Sequence, residues 1–303
     1  MDGGPGGGGD PLDLVVLGLV ALGALGRLAF CADHSEYLRG SDGGCLLSTT
    51  TPAQRSATDV AARATGPKFI IVIQQKGGAG KSTITVNLAA VSGRSSVMQN
   101  DIEDAAVVAA GVDPQGSLED WADRVPEEAL PFDYLVTRGK VGILTDLKTS
   151  PTRKRVIVDT PGFMEIDPDA AWGDDPLGES RVADALREVL ELADLAIVPI
   201  TPEWLSWKPA EFTIERILKP RGIPFVVVIN LHDPRDGDTA LDAVKTWIDE
   251  RGYPRMADPI RKYKIHAHAA ENGLTVVEYK ESGTALRARE DFMSLALCVE
   301  QNL

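Results

Sequence analysis

From residue 67 onward, short unbroken apolar runs alternate with stretches in which apolar residues recur every three or four positions. The runs at 68–74, 107–112, 131–136, 155–158, 195–200 and 225–229 read as strands, and the first is apolar enough to be covered on both faces. Helical periodicity predicts elements at 80–92, 118–121, 181–191, 207–218 and 239–249, with a last long helix inside 281–299. Residues 141–148 fit a short helix or a strand. Residues 93–105 are polar and carry no clean period. Short buried strands alternating with helices imply an α/β fold: a mostly parallel sheet flanked by helices. No internal repeat is present.

The first 66 residues differ from the rest. The opening ten are nearly all glycine, and 41–64 is rich in Ser, Thr, Gly and Ala, a linker composition. Between them, 14–26 is strongly apolar and bounded by Asp13 and Arg27. About 17–25 apolar residues are needed to span a bilayer, so this run is short. It also lacks the basic flank of a signal peptide. It reads as a helix packed on the domain or a partner, a membrane-touching segment, or a poorly ordered extension or start-site artefact. The expected division is an extension over 1–66 and one folded domain over 67–303.

Charge and cysteines narrow the function. A formal net charge of -14 argues against a generally polyanion-binding surface, so any nucleic-acid contact needs a local basic patch. The three cysteines, Cys31, Cys45 and Cys298, are scattered, with neither disulfide nor metal spacing, as suits a reducing cytoplasm. Cys298 reads as a small core residue of the last helix. His266 and His268 lack further ligands nearby. Trp204 and Trp207 are expected to pack a helix entrance.

The first strand runs into Lys76-Gly77-Gly78-Ala79-Gly80-Lys81-Ser82-Thr83 and then a helix, the strand–loop–helix context of a phosphate-binding loop. Its glycines let successive N–H groups point inward, and the helix N-terminus adds to the positive field. Lys81 is placed to reach the β- and γ-phosphates and Ser82 to offer its hydroxyl to Mg²⁺. Gln75 stands where the common loop has glycine, and Lys76 is an added second lysine. Three further strand ends carry polar residues where nucleotides bind in open α/β sheets. Asp113 suits the Mg²⁺ shell and the attacking water, or an ordinary Asp-Pro turn. Asp159, before Thr160-Pro161-Gly162, suits a metal-binding carboxylate with a glycine N–H aimed at the γ-phosphate. Asn230 suits an adenine-reading amide or a turn brace.

These residues together resemble the ParA/MinD-type deviant-Walker P-loop ATPases, over roughly 67–300. The matching segments are 76–83 with Asn87-Leu88-Ala89, 113–117, 156–162, 198–202 and 228–230. The stretch 260–279, then 284–286, looks like the C-terminal part of DNA partition ATPases of phages and actinobacteria. The resemblance implies ATP and Mg²⁺ as cofactors and slow ATP hydrolysis. It implies catalytic roles for Lys76, Lys81 and Asp113, and metal contacts from Ser82, Asp113 and Asp159. Nucleotide contacts would come from Gly77, Gly78, Ala79, Gly80, Lys81, Ser82, Thr83, Gly162 and Asn230. It further implies an ATP-bound homodimer in which Lys76 reaches the partner's phosphates, and a ParB-like protein that stimulates hydrolysis. Non-specific DNA would be held by Arg261, Lys262, Lys264, Arg287 and Arg289, in the cytoplasm and at the nucleoid, unless these cations are solvated or protein-facing. A MinD-like positioning ATPase at a membrane and an ATP-dependent scaffold are the alternatives, although the C-terminus carries no basic amphipathic anchor. The family usually has Asp two residues before the Asp113 position; here it is Gly111. Residues 100–104 look like an insert, and the acidic stretch 163–180 like a partner gate or a solvated surface.

Overall fold

The computed structural model describes residues 66–100, 106–113, 117–126, 130–162, 167, 170–171 and 173–303. The extension 1–65, and the readings attached to it, lie outside the described residues, as do most of 100–104 and much of 163–172.

Six strands form one parallel sheet: β1 (Lys68–Val72), β2 (Val107–Gly111), β3 (Asp133–Val136), β4 (Arg155–Asp159), β5 (Leu195–Ile200) and β6 (Phe225–Ile229), in the order β3-β2-β4-β1-β5-β6. Each strand matches a predicted run, to within one or two residues at its ends. Alternate residues of the strands serve two cores. Phe69, Ile71, Val156, Val158 and Val198 face one layer; Ile70, Val72, Ile157 and Ile197 face the other.

Helices cover both faces. On one lie α1 (Lys81–Asn100), the short α2 (Ser117–Ala122), α7 (Lys264–Glu271) and α8 (Gly283–Asn302), which contribute Ile84, Leu88, Leu118, Ile265, Phe292 and Leu295. On the other lie α3 (Ile143–Leu147), α4 (Arg181–Leu192), α5 (Trp207–Phe212) and α6 (Thr239–Glu250), with Leu144, Leu186, Val189, Ala210, Val244 and Ile248. Full burial of each large aliphatic side chain stabilises the fold by about 1.5–3 kcal/mol.

Three elements depart from the pattern. The polar stretch after Ser92 continues α1 to Asn100 instead of forming a link. Gly93 allows it: a Cβ there would overlap the Pro131 carbonyl, so the absent side chain lets the helix lie against the 130–132 segment. The helix expected over 207–218 changes register into a π turn at Thr213–Leu218, where Thr213 Oγ1 donates to the Pro209 carbonyl at 2.8 Å. Helix α7 lies in a stretch with no predicted element, and buries only Ile265 and Ala269. Among the described residues no helix is long and apolar enough to cross a membrane.

Register positions the chemistry. Val72 pairs with Asp159, Gly111 with Asp159, and Ile200 with Ile229, so the next residues of five strands emerge together at the carboxyl edge. Neighbours β4 and β5 on either side of β1 open the crevice at which such sheets hold ligands.

Candidate functional site

The loop leaving β1 is held at both ends. Gln74, fully buried, donates from Nε2 to the Pro199 carbonyl at 3.1 Å. The Gln75 N–H donates to Thr213 Oγ1 at 3.3 Å, so the π turn fixes the loop's entry. Gly78 and Gly80 take left-handed φ angles of 78° and 85°, which a side chain would strain. At the exit, Asn230 Nδ2 donates to the Ala79 carbonyl at 2.8 Å. The loop then feeds α1, whose first-turn N–H groups face the crevice.

Lys81 opens α1 and is buried, with Nζ 3.5 Å from the Lys76 carbonyl. Burial lowers its pKa, while the charges of Asp159 and Asp113 pull the other way. Asp159, almost fully buried at the end of β4, accepts from Ser82 Oγ at 2.6 Å. Burial pushes its carboxyl up to about 7, against the lowering effects of the Ser82 hydrogen bond and Lys81; Asp113 adds to the rise. Asp159 Oδ1 is buried without a hydrogen-bond partner among the described residues. A buried orphan oxygen beside a serine hydroxyl, with Asp113 close enough to act on both Asp159 and Lys81, suits Mg²⁺ shared with phosphate oxygens. Gly162 lies against the loop: a Cβ there would stand 3.1 Å from the Gln75 carbonyl and 3.8 Å from the Gly77 nitrogen.

The structure thus brings together Lys76 to Thr83, Asp113, Asp159, Gly162 and Asn230. Asn230 is buried, with its amide nitrogen donating to the loop's Ala79 carbonyl. Gly111 has a packing reason: a Cβ there would meet Leu118 Cδ2 at 2.9 Å and Cβ at 3.0 Å. Leu118 occupies the space that the family's usual aspartate would need.

Lys76 is only half-buried at the rim. It contributes to lowering the pKa of Glu203, after the Thr201 hydrogen bond, and Lys262 acts in the same direction. Beside Glu203, the turn after β5 is closed by Ser206, whose Oγ accepts from the Thr201 N–H at 3.0 Å and donates to the Thr201 carbonyl at 2.9 Å. That closure leaves Trp204 68% and Leu205 60% exposed. The expectation that Trp204 packs a helix entrance is corrected, because Ser206 rather than the indole plugs the turn. Trp207 does pack, with its ring centroid 5.5 Å from that of Trp247. Sequence reasoning also passed over Gln74 and Thr213, and placed Asn87 in the loop motif without giving its side chain a role. Asn87 donates to the Thr83 carbonyl at 2.8 Å and accepts from the Val276 N–H at 2.8 Å, tying the loop's helix to the C-terminal part. A polar residue ending a buried strand was the visible signal for Gln74.

The basic residues divide. Arg261 chelates Asp291, with Nη2 to Oδ1 at 2.7 Å, and also donates to the Arg287 carbonyl at 2.9 Å. Arg289 donates to the carbonyls of Val276 and Tyr279 at 2.8 and 2.7 Å. These two hold the C-terminal part together. Lys262, Lys264 and Arg287 are exposed.

No family model matches the chain. It is 30% identical over 230 residues to maintenance of carboxysome distribution protein A of Gloeobacter kilaueensis, covering 76% of this chain and 93% of that protein. Among solved structures, a complex of Cyanothece McdA with ATP aligns with a TM-score of 0.52 at 14% identity, covering 78% of this chain and 97% of that one. The cell division protein MinD of Aquifex aeolicus aligns with a TM-score of 0.54 at 16% identity, covering 78% and 98%. At such identities the two structures support the fold alone.

Proposed function

The chain belongs to the ParA/MinD family of deviant-Walker P-loop ATPases, which hydrolyse ATP, and we propose that within it this protein is an ATP-driven positioning switch that distributes a large cargo. The name of its sequence relative, carboxysome distribution, supports that role over plasmid partition. One observation carries the reading: the loop's two lysines are placed differently. Lys81 is buried among Asp159, Asp113 and Ser82, where it would serve the phosphates of its own site. Lys76 stays at the rim beside Glu203 and the exposed Trp204–Leu205 pair, on a face suited to a second copy. Such a copy covers apolar surface, while Lys76 meets phosphate charge that leaves after hydrolysis.

In this reading Asp113 orients the attacking water and the Gly162 N–H senses the γ-phosphate. Ser82, Asp159 and Asp113 would hold Mg²⁺, which neutralises charge developing on the β- and γ-oxygens. Asn230 and the Gln74–Thr213 pair keep the loop in place. A partner protein on the cargo would stimulate hydrolysis and release.

Light scattering with ADP and with ATP·Mg²⁺ tests the switch. A dimer or larger species is expected with ATP alone, lost in Lys76→Ala and Trp204→Ala. An unchanged mass with either nucleotide refutes it. The exposed Lys262, Lys264 and Arg287 favour a second reading, DNA partition with a ParB-like partner. DNA bound with ATP and freed with ADP would support that role.

A further inference from the structure

At the amino end of the sheet, opposite the phosphate loop, an amphipathic groove of about 660 Å³ lies between α1 and α8. Strands rise about 3.3 Å per residue, so a five-residue sheet separates the groove from the loop. Val277, Met293 and Leu297 give it an apolar side, and Lys154 and Arg155 a basic one. Met293 is 51% and Leu297 64% exposed, one helical turn apart on α8. Ion pairs to Glu278 and Glu300, from Arg94 at 3.2 Å and Arg155 at 2.6 Å, flank it. Large exposed aliphatics beside a cleft call for a cover.

The chain enters the domain at this spot. The Lys68 N–H donates to the Lys154 carbonyl at 2.9 Å, and Lys68 pairs with Arg155 in the β1–β4 register. The 65 residues ahead of Gly66 include the apolar run 14–26, preceded by Asp10 and Asp13. An apolar run of that kind also calls for a cover. Residues 27–65 join the run to Gly66, so its binding to the groove is intramolecular. Lys154, exposed at the groove, complements the acidic residues that lead the run.

We propose that the groove between α1 and α8 is the docking site of this chain's own apolar segment, residues 14–26. The segment's leucines and valines cover Met293 and Leu297, and its acidic lead meets Lys154.

Hydrogen–deuterium exchange on the full chain tests this. Amides of 11–31 are expected to be protected, along with those of α8. Leu297→Asp, at an exposed position, and Leu17→Asp, in the segment, are each expected to abolish the protection of 11–31, with ATP-dependent mass unchanged. Free exchange of 11–31 in the wild type, or protection that survives Leu297→Asp, overturns the proposal. Protection that grows with protein concentration assigns the groove to a second copy instead. Flotation with phosphatidylglycerol vesicles that fails in Leu17→Asp but persists in Leu297→Asp assigns the segment to lipid.

Discussion

The Asn230 side chain donates to the Ala79 carbonyl at 2.8 Å, in the space a Cβ on Gly80 would enter. The last strand of the sheet therefore braces the loop of the first. Asn230→Ala is expected to cost about 1–3 kcal/mol, since it leaves a buried carbonyl unpaired, and to raise the KM for ATP more than it lowers kcat. Gly80→Ala is expected to be worse, because overlap adds to strain at a φ of 85°. Chemical denaturation and steady-state ATPase kinetics check both.

Asp159 has a pH signature. Its carboxyl is pushed up from 3.8 to about 7, so between those values the folded chain holds a proton that the unfolded chain has released. Stability of the nucleotide-free protein from this group falls as pH rises through that window, by at most about 1.4 kcal/mol per pH unit. Mg²⁺·ATP needs the carboxylate, so its binding tightens over the same range. Asp159→Asn is expected to flatten the stability slope and abolish the Mg²⁺ dependence. Thermal melts at pH 5.5 and pH 7.5, with and without Mg²⁺·ATP, decide it.

Gly111 and Leu118 form a coupled pair. Gly111→Asp is expected to destabilise by about 1–3 kcal/mol, the cost of overpacking against Leu118 Cδ2 and Cβ. Adding Leu118→Ala should recover part of that loss. A double-mutant cycle with additive costs would mean that the two positions do not compete for the same space.

The cations of the C-terminal part should separate by role. Asp291→Ala removes an acceptor of both the Arg261 guanidinium and its backbone N–H, and is expected to cost about 1–3 kcal/mol. Lys262→Ala, at an exposed position, should change stability by no more than about 0.5 kcal/mol. If DNA is held here, Lys262→Ala should also lower the salt slope of ATP-dependent binding by about one. Urea titration and binding at several salt concentrations read the two outcomes.

The parallel α/β layout and the loop's residue types were legible along the chain. Six short apolar runs alternating with amphipathic helical stretches are covered by those helices on both faces. The glycines within Gly77 to Thr83 permit its N–H groups to turn toward an anion. The length of α1 was not legible, because residues 93–100 carry no clean period and Gly93 lets the helix lie against Pro131. The π turn at Thr213 and the contact of Asn230 with the loop depend on residues far away along the chain, and the glycine at 111 on one side chain filling another's space. The exposure of Trp204 was equally invisible: an indole near a helix start ordinarily packs inward, and here buried Ser206 closes the turn in its place. Local pattern dictates which elements form; non-local packing dictates what each side chain is left free to do.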